Sequence, residues 1–366
     1  MAAPQYTYPT TQELRMLDQE KTPTLTQDDL IFQFFPIVEQ NVINVRFIQR
    51  DNYTGLQNFR GVDGQPTRVR RVGAKSYLYE PGVYGEYISL DEKEIMERAP
   101  WDNINGFMSL DAMVAEAQDQ LLQRRVDRIK WILWTLLATG IFFVPTHQAE
   151  ANNIGTGVQG GAGHGDQYAN VTAIGQFGIQ SFTASPTWAT VATATPMADL
   201  RNFQLTAERG RSVSFGKGTV AIMNRSTWYN MVNNTNANDL GGQFRDAGGS
   251  RMISLQNVND VLIAQDLPTI IIYDEGYIDE NGTFQLWVPN NTVILIGARN
   301  NGEPVGEYWL TRNANNDGMA PGPYQFVNDS AQIPNMKIVP RSIDVHDGHN
   351  GGPVLFYPSA IGRMTV

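Results

Sequence analysis

The 366-residue sequence predicts a mixed α+β chain organised around one long helix. Three observations carry this. Residues 109–140, SLDAMVAEAQDQLLQRRVDRIKWILWTLLATG, hold no Pro and no Gly before the last position. They are rich in helix formers and close on Gly140, where a left-handed cap fits. From about 195 onward, short apolar runs at 219–223, 269–273 and 293–297 alternate with helix-like stretches. Elsewhere Gly, Pro and Asn punctuate strand-length segments, and Asn281-Gly282 between alternating residues is a hairpin signal.

Along the chain, residues 1–30 are polar and carry Pro4, Pro9 and Pro23, so they read as an arm with one short helix near 11–17. LIFQFFP at 30–36 is the first apolar anchor, and NVINVRFIQR at 41–50 alternates as a strand does. The next segment is basic. From Arg46 to Lys75, seven basic residues (Arg46, Arg50, Arg60, Arg68, Arg70, Arg71, Lys75) stand against Asp51 and Asp63. Residues 67–79 alternate like a two-stranded ribbon. The sign then reverses, with Glu86, Asp91, Glu92, Glu94 and Glu97 against Lys93 alone. Two readings fit this pattern: contact between copies of the chain, and a solvated hairpin with incidental charges.

Plotted at 100° per residue, Leu110, Val114, Ala117 and Leu121 share one face of the long helix. Arg124, Arg125 and Arg128 fall on that same face, where they require carboxylate partners if covered. From Ile129 the helix turns apolar on every side, and Trp131, Trp134 and Leu137 read as its core anchor. The apolar run 131–144 is about 14 residues, short of the ~20 needed to span a bilayer, and reads as a buried helix end. GTGVQGGAGHGDQ at 155–167 lacks the Lys-Ser/Thr of a phosphate loop and reads as a loop excursion. Thr195-Pro196 opens a helix through 208 with Thr195 as cap. Asn224 caps a second helix to 233, and 255–264 forms a third. These helices and the strands among them make a compact α/β region at about 195–330. Residues 336–366 read as extended strands, with Pro340, Pro353 and Pro358 at ends or edges.

Composition narrows the function classes. A hydrophobic fraction of 42% with 17% charged residues is that of a folded chain. A net charge of −10 argues against a dedicated nucleic-acid binder. With no Cys, disulfides and thiolate metal sites are excluded. The N-terminus has no apolar signal region, so no secretory leader is expected. Of the four histidines, His346 and His349 sit in DVHDGH at 344–349, where Gly348 marks a turn and helical ligand spacing is missing. No nucleophile elbow, dinucleotide glycine motif or zinc-helix motif is present. The expectation is therefore no catalytic residue, no cofactor and no metal.

Four passages, in order, resemble the major capsid proteins of lambda-type tailed phages, the capsid protein E family. They are YEPGVYG at 79–85, LATG at 137–140, TIIIYDEGYIDENGTFQLWVPNNTVILIGAR at 269–299, and GGPVLFYPSAIGRMTV at 351–366. The resemblance implies the Hong Kong 97-like capsid fold. Residues 1–54 would be an N-terminal arm and 55–90 an extended loop. Residues 91–194 and 331–366 would form a peripheral domain with 109–140 as its spine helix, and 195–330 an axial domain.

It also implies a non-enzymatic shell subunit that assembles into hexamers and pentamers of an icosahedral head. The implied partners are further copies of itself, a scaffolding protein, a portal protein, a decoration or cement protein, and double-stranded DNA contacted weakly, with no membrane. The implied place is the virion, reached from the host cytoplasm, and no fused scaffolding segment or Lys75 crosslink is assigned. In that frame Arg68, Arg70, Arg71 and Lys75 are expected to meet carboxylates of a neighbouring copy. Glu86, Asp91, Glu92 and Glu94, with Arg124, Arg125 and Arg128, are further candidates for contacts between copies. Other readings are an encapsulin-like nanocompartment shell, a β-rich virion adhesin, and a hydrolase. The long helix with an apolar end disfavours the adhesin, and the missing convergent polar site disfavours the hydrolase.

Overall fold

The computed structural model describes residues 21–22, 26–27, 29–49, 60, 62, 64–65, 75–97, 109–145, 171–174, 179–209, 213–235, 254–279, 282–299, 304–316, 319–330 and 341–366. The short helix expected near 11–17, the ribbon arginines Arg68, Arg70 and Arg71, and the glycine-rich 155–167 lie outside them.

The described elements give a mixed α+β fold. Helix α1 is Leu30–Phe34, followed by strands β1 Ile37–Glu39, β2 Val45–Gln49, β3 Lys75–Tyr79 and β4 Gly82–Asp91. Then come α2 Glu92–Glu97, α3 Leu110–Thr139, and strands β5 Phe142–Pro145, β6 Val171–Ile174 and β7 Gln180–Thr183. Helix α4 Pro196–Glu208 leads to β8 Val213–Ser214, β9 Val220–Met223, α5 Arg225–Val232 and α6 Leu255–Ala264. The remaining strands are β10 Thr269–Ile272, β11 Gly276–Ile278, β12 Phe284–Leu286, β13 Thr292–Ile296, β14 Ala298–Arg299 and β15 Gly306–Leu310. The chain ends with β16 Tyr324–Asp329, β17 Ser342–Leu355 and β18 Ile361–Thr365.

The long helix forms where the sequence places it. The Ser109 hydroxyl accepts from the Ala112 amide at 3.3 Å, and Gly140 takes φ +76°, the left-handed stop that a Cβ would oppose. Its apolar end is not covered all round, however. Trp131, Thr135 and Thr139, spaced i, i+4, i+8, keep one stripe partly open. Beyond Gly140 the apolar run continues as β5, so 131–144 is a helix end plus a strand rather than a single helix end.

The chain divides into two compact units, the first comprising 1–45, 79–131 and 307–354 and the second 46–78, 132–306 and 355–366. In the first, β17 is the centre of a five-stranded sheet. It runs antiparallel to β4 over Ser342–Gly351 and to β16 over Ile343–Gly348, while β15 and β1 extend the order β1-β15-β17-β16. The α3 stripe Met113, Val114, Ala117 and Leu121 packs on Leu90, Ile343 and Val345. This is the apolar stripe expected of the helix, now given its sheet. The 344–349 stretch, expected to turn at Gly348, lies instead in mid-strand. Pro353 likewise sits inside β17, not at its end.

In the second unit a sheet of order β10-β9-β13-β18-β7 is built from apolar strands, with Ala221, Ile222, Met223, Ile294, Leu295, Ile361 and Met364 all buried. Asn224 caps α5 by accepting from the Thr227 amide at 2.8 Å. Its amide nitrogen donates to Asn290 at 2.7 Å and to the Val288 carbonyl at 3.2 Å. Asn259 on α6 pairs with the backbone of Ile270 on edge strand β10, accepting from its N–H at 2.8 Å and donating to its C=O at 3.1 Å. Its side-chain amide so occupies positions a further strand would use. Pro196 opens α4 as expected, but the Thr195 side chain makes no cap bond, and its carbonyl accepts from Asp199 instead. The hairpin predicted at Asn281-Gly282 forms between β11 and β12. The α/β region ends earlier than the sequence reading, at Gly306 rather than 330, because β15 and β16 join the sheet of the first unit. The tail also divides, β17 belonging to the first unit and β18 to the second.

Candidate functional site

The sheet of the first unit has two faces that differ in chemistry. Because side chains alternate along a strand, Ile343, Val345, Asp347 and His349 share one face with Tyr84, Glu86, Ile88 and Leu90. Their packing on α3 makes this the inner face. Asp344, His346 and Gly348 share the outer face with Gly85, Tyr87, Ser89 and Asp91, and with Tyr324, Phe326 and Asn328 of β16.

On the inner face Glu86 and Asp347 are direct cross-strand neighbours, an unfavourable pair of like charges by itself. Two adjacent helix residues neutralise them. Arg125 donates to Asp347 at 2.6 Å with both side chains buried. Arg124 makes a two-pronged contact with Glu86, its Nη2 lying 3.0 Å from Oε1, with both side chains about half-exposed. Beside them His349 is fully buried, stacks on Tyr84 at 5.0 Å, and its Nε2 meets the Tyr308 hydroxyl at 3.1 Å. Burial, reinforced by the charges of Arg125 and Arg128, lowers its pKa to about 3, so it is neutral at physiological pH. Burial likewise raises the Tyr79 and Tyr308 hydroxyls, and Tyr79 donates to the Pro353 carbonyl at 2.7 Å. One turn along α3, Lys130 pairs with Asp29, which also caps α1, both side chains being buried. Charges here are neutralised in place. The arrangement fixes strands to a helix and aligns no nucleophile with a base.

The outer face carries a row of rings crossing three strands. Tyr87 stacks on His346 at 5.2 Å and 24°, and His346 on Phe326 at 4.4 Å and 13°; Tyr324 follows at 6.1 Å. The Tyr324 ring lies over two glycines, where a Cβ on Gly85 or Gly348 would come within 2.6 or 2.5 Å of its hydroxyl oxygen. Tyr87 is 62% exposed. Burial lowers the pKa of His346, with Asp344 acting in the opposite sense. His346 and His349 point to opposite faces, so the DVHDGH stretch cannot bring both imidazoles to one metal.

The residues singled out from sequence are thus distributed. Arg125 is buried on Asp347 of its own chain, so the expected carboxylate of a neighbour is replaced by an internal one. The carboxylate on Arg124 is also internal, and Arg128 lies with its guanidinium carbon 5.7 Å from the centre of the Trp131 ring. Asp91 accepts from the Glu94 amide at 2.8 Å and so starts α2, on which Glu92 and Glu94 are exposed. Lys75 begins β3, the partner of β2. Trp134 and Leu137 are core, Trp134 stacking on Tyr273 at 4.9 Å, whereas Trp131 is only partly buried. Tyr308 and Tyr84 carried no expectation in the sequence, and Asp347 and His349 entered it only as members of DVHDGH, weighed as a metal site and not as buried partners of Arg125 and Tyr308. The alternation of Ile343, Val345 and Asp347 was the signal that could have found them.

No protein-family model and no curated protein matches the sequence. Solved structures do. A protein assigned as the capsid protein of a prophage of E. coli CFT073 aligns over 95% of this chain and 98% of its own, at TM-score 0.52 and 13% identity. A phage-related protein of Bordetella bronchiseptica RB50 aligns over 96% of each chain, at TM-score 0.52 and 10% identity. The chain shares the fold of these phage proteins. At such identities the likeness is one of backbone architecture. Among the described residues no helix is long and apolar enough to cross a membrane.

Proposed function

We propose that the chain is the major capsid protein of a tailed double-stranded DNA phage, a non-enzymatic subunit of Hong Kong 97-like fold. The observation that carries this is the end-to-end likeness to a protein assigned as a prophage capsid protein, in a chain whose four sequence passages independently resemble phage capsid proteins. In this reading residues 1–54 hold the arm and 55–78 the extended loop, the long helix with the five-stranded sheet built on β17 is the peripheral domain, and the α/β region from 195 to 306 together with β18 is the axial domain. The inner-face charge clamp supports it, since a shell subunit needs a helix and sheet held in one geometry while its neighbours pull on it. The subunit joins hexamers and pentamers in the virion, assembled in the host cytoplasm with scaffolding, portal and cement proteins. An acidic chain suits a container that holds DNA without gripping it.

Electron microscopy of the purified chain tests this. Six-membered rings or closed shells are expected, and a monomer that persists at high concentration rejects the reading. Nucleic acid inside shells from infected cells separates a phage head from a cargo compartment. Reversing Arg68, Arg70 and Arg71 to Glu is expected to leave the circular dichroism spectrum unchanged and reduce shell yield several-fold. Unchanged yield would remove the loop from the contacts.

A further inference from the structure

Where helix α1 and strand β1 lie along the long helix α3, the side chains of the first unit enclose a cavity of about 430 Å³. Its walls include Phe32 of α1, Ile37 of β1, Val126 and Ile129 of α3, Leu310 of β15, and Pro323. Phe32, Val126, Ile129 and Leu310 are buried, so these walls are shielded from bulk water. Protein interiors leave few gaps larger than one water molecule. A cavity of this size is that of a small-molecule site, which spans about 300–1,000 Å³. Its walls are also tied to one another. Asp29 caps α1 and pairs with Lys130 of α3, and Arg125 of α3 is clamped on Asp347 of β17. The Pro36 carbonyl accepts from the Tyr308 amide at 3.0 Å, and β1 pairs with β15 along Ile37–Glu39. Walls fixed in this way do not fold inward, so the site is preformed.

Two ionised side chains reach the lining, and they are not equivalent. Arg125 is buried, and Asp347 meets its charge at 2.6 Å. Glu39 is exposed, and its carboxylate lies against the backbone beside Pro323, where a Cβ on Gly322 would come within 2.8 Å of Oε1. A carboxylate offers about four acceptor positions, so it takes a further N–H beside the contacts it already makes. An anionic guest would bring like charge to Glu39, whereas a cationic one gains a charge-assisted hydrogen bond there. We propose that this cavity is a binding site for a small organic amine, whose apolar body packs among Phe32, Ile37, Val126, Ile129 and Leu310 and whose ammonium group pairs with Glu39. Such a guest touches α1, β1 and α3 together and so strengthens their junction. The inference goes beyond the shell reading and does not depend on it, because every contact lies within one copy.

Benzylamine, benzyl alcohol and benzoate test this as probes of one shape and three charge states. Each is titrated into the full-length chain and followed by ligand-observed NMR. Benzylamine is expected to bind saturably with a dissociation constant of about 1 mM, and benzoate at least about ten-fold more weakly. Absence of saturable benzylamine binding, or benzoate binding equally well, overturns the proposal. A diazirine-bearing benzylamine, irradiated on the chain, is expected to mark peptides covering residues 30–39 and 122–130, in competition with benzylamine. Marks confined to other regions remove this site. Ile129→Phe places a ring in the cavity and is expected to abolish binding without lowering the urea midpoint. A lowered midpoint would mean overpacking, and hence no spare volume, and would also overturn the proposal. Glu39→Gln, at an exposed position, is expected to keep the midpoint, weaken benzylamine about ten-fold and leave benzyl alcohol unchanged. Unchanged benzylamine affinity in that variant overturns the pairing with Glu39 and with it the assignment of an amine.

Discussion

The two five-stranded sheets reach similar burial by opposite means. In the second unit β13 reads TVILI and β9 VAIM, and their side chains disappear into an apolar interior. In the first, central strand β17 reads SIDVHDGHNGGPVL, yet Asp347 and His349 are as buried as Ile343 and Val345. One sheet is held by non-directional burial, which tolerates small changes in geometry. The other depends on specific pairs, each worth little net but costly to break from one side. A unit held by pairs has sharply defined geometry and responds to charge and pH, whereas a unit held by apolar burial responds to volume.

That contrast can be broken most directly at Arg125. Arg125→Met leaves Asp347 buried without its cation and is expected to cost about 3–5 kcal/mol in chemical denaturation. The double change Arg125→Met, Asp347→Leu is expected to recover most of the loss, and a failure to recover would mean the pair is not the organising contact. In the other sheet Leu295→Ala, at a position with no exposure, is expected to cost about 3 kcal/mol through the cavity it leaves, equally at pH 5 and pH 7.5.

The pH arm isolates the first unit. His349 keeps its proton off down to about pH 3 when folded, whereas in the unfolded chain it binds a proton near 6.5. Between those values the unfolded state holds more protons, so stability is full above about pH 6.5 and falls as pH drops, by about 2 kcal/mol at pH 5. His349→Gln is expected to flatten that slope between pH 7.5 and 5, read as the shift in urea midpoint. The smallest effect belongs to the half-exposed partner of the buried pair. Arg124→Ala is expected to cost below about 1 kcal/mol and to lose even that in high salt, because solvent screens the Glu86 contact.

Much of this architecture could be read from the chain before any fold was known, and the boundary of what could be read is physical. Elements specified by near neighbours were legible: α3 from its Gly- and Pro-free run and its Gly140 stop, α5 from Asn224, the β11–β12 hairpin from Asn281-Gly282, and β9, β10 and β13 from their apolar runs. Strand β4 and helix α2 were not, because Gly82 to Glu97 shows charge where it shows no period. Gly348 was misread as a turn because a glycine that makes room for the Tyr324 ring looks, in sequence, like a glycine that bends the backbone.

The partners of the arginines were beyond reach for the same reason. A guanidinium on α3 announces that it needs a carboxylate, but only the register of β4 on β17 decides that Glu86 and Asp347 supply it. The sequence by itself determined the long helix, its cap, the apolar strands and the need for counter-charges at mid-helix, since these follow from residues a few positions apart. Only the tertiary structure decided which residues, more than two hundred positions away, meet Arg125, and that a row of aromatic rings lines up across three strands. Those facts depend on strand register, a long-range choice that no local pattern encodes.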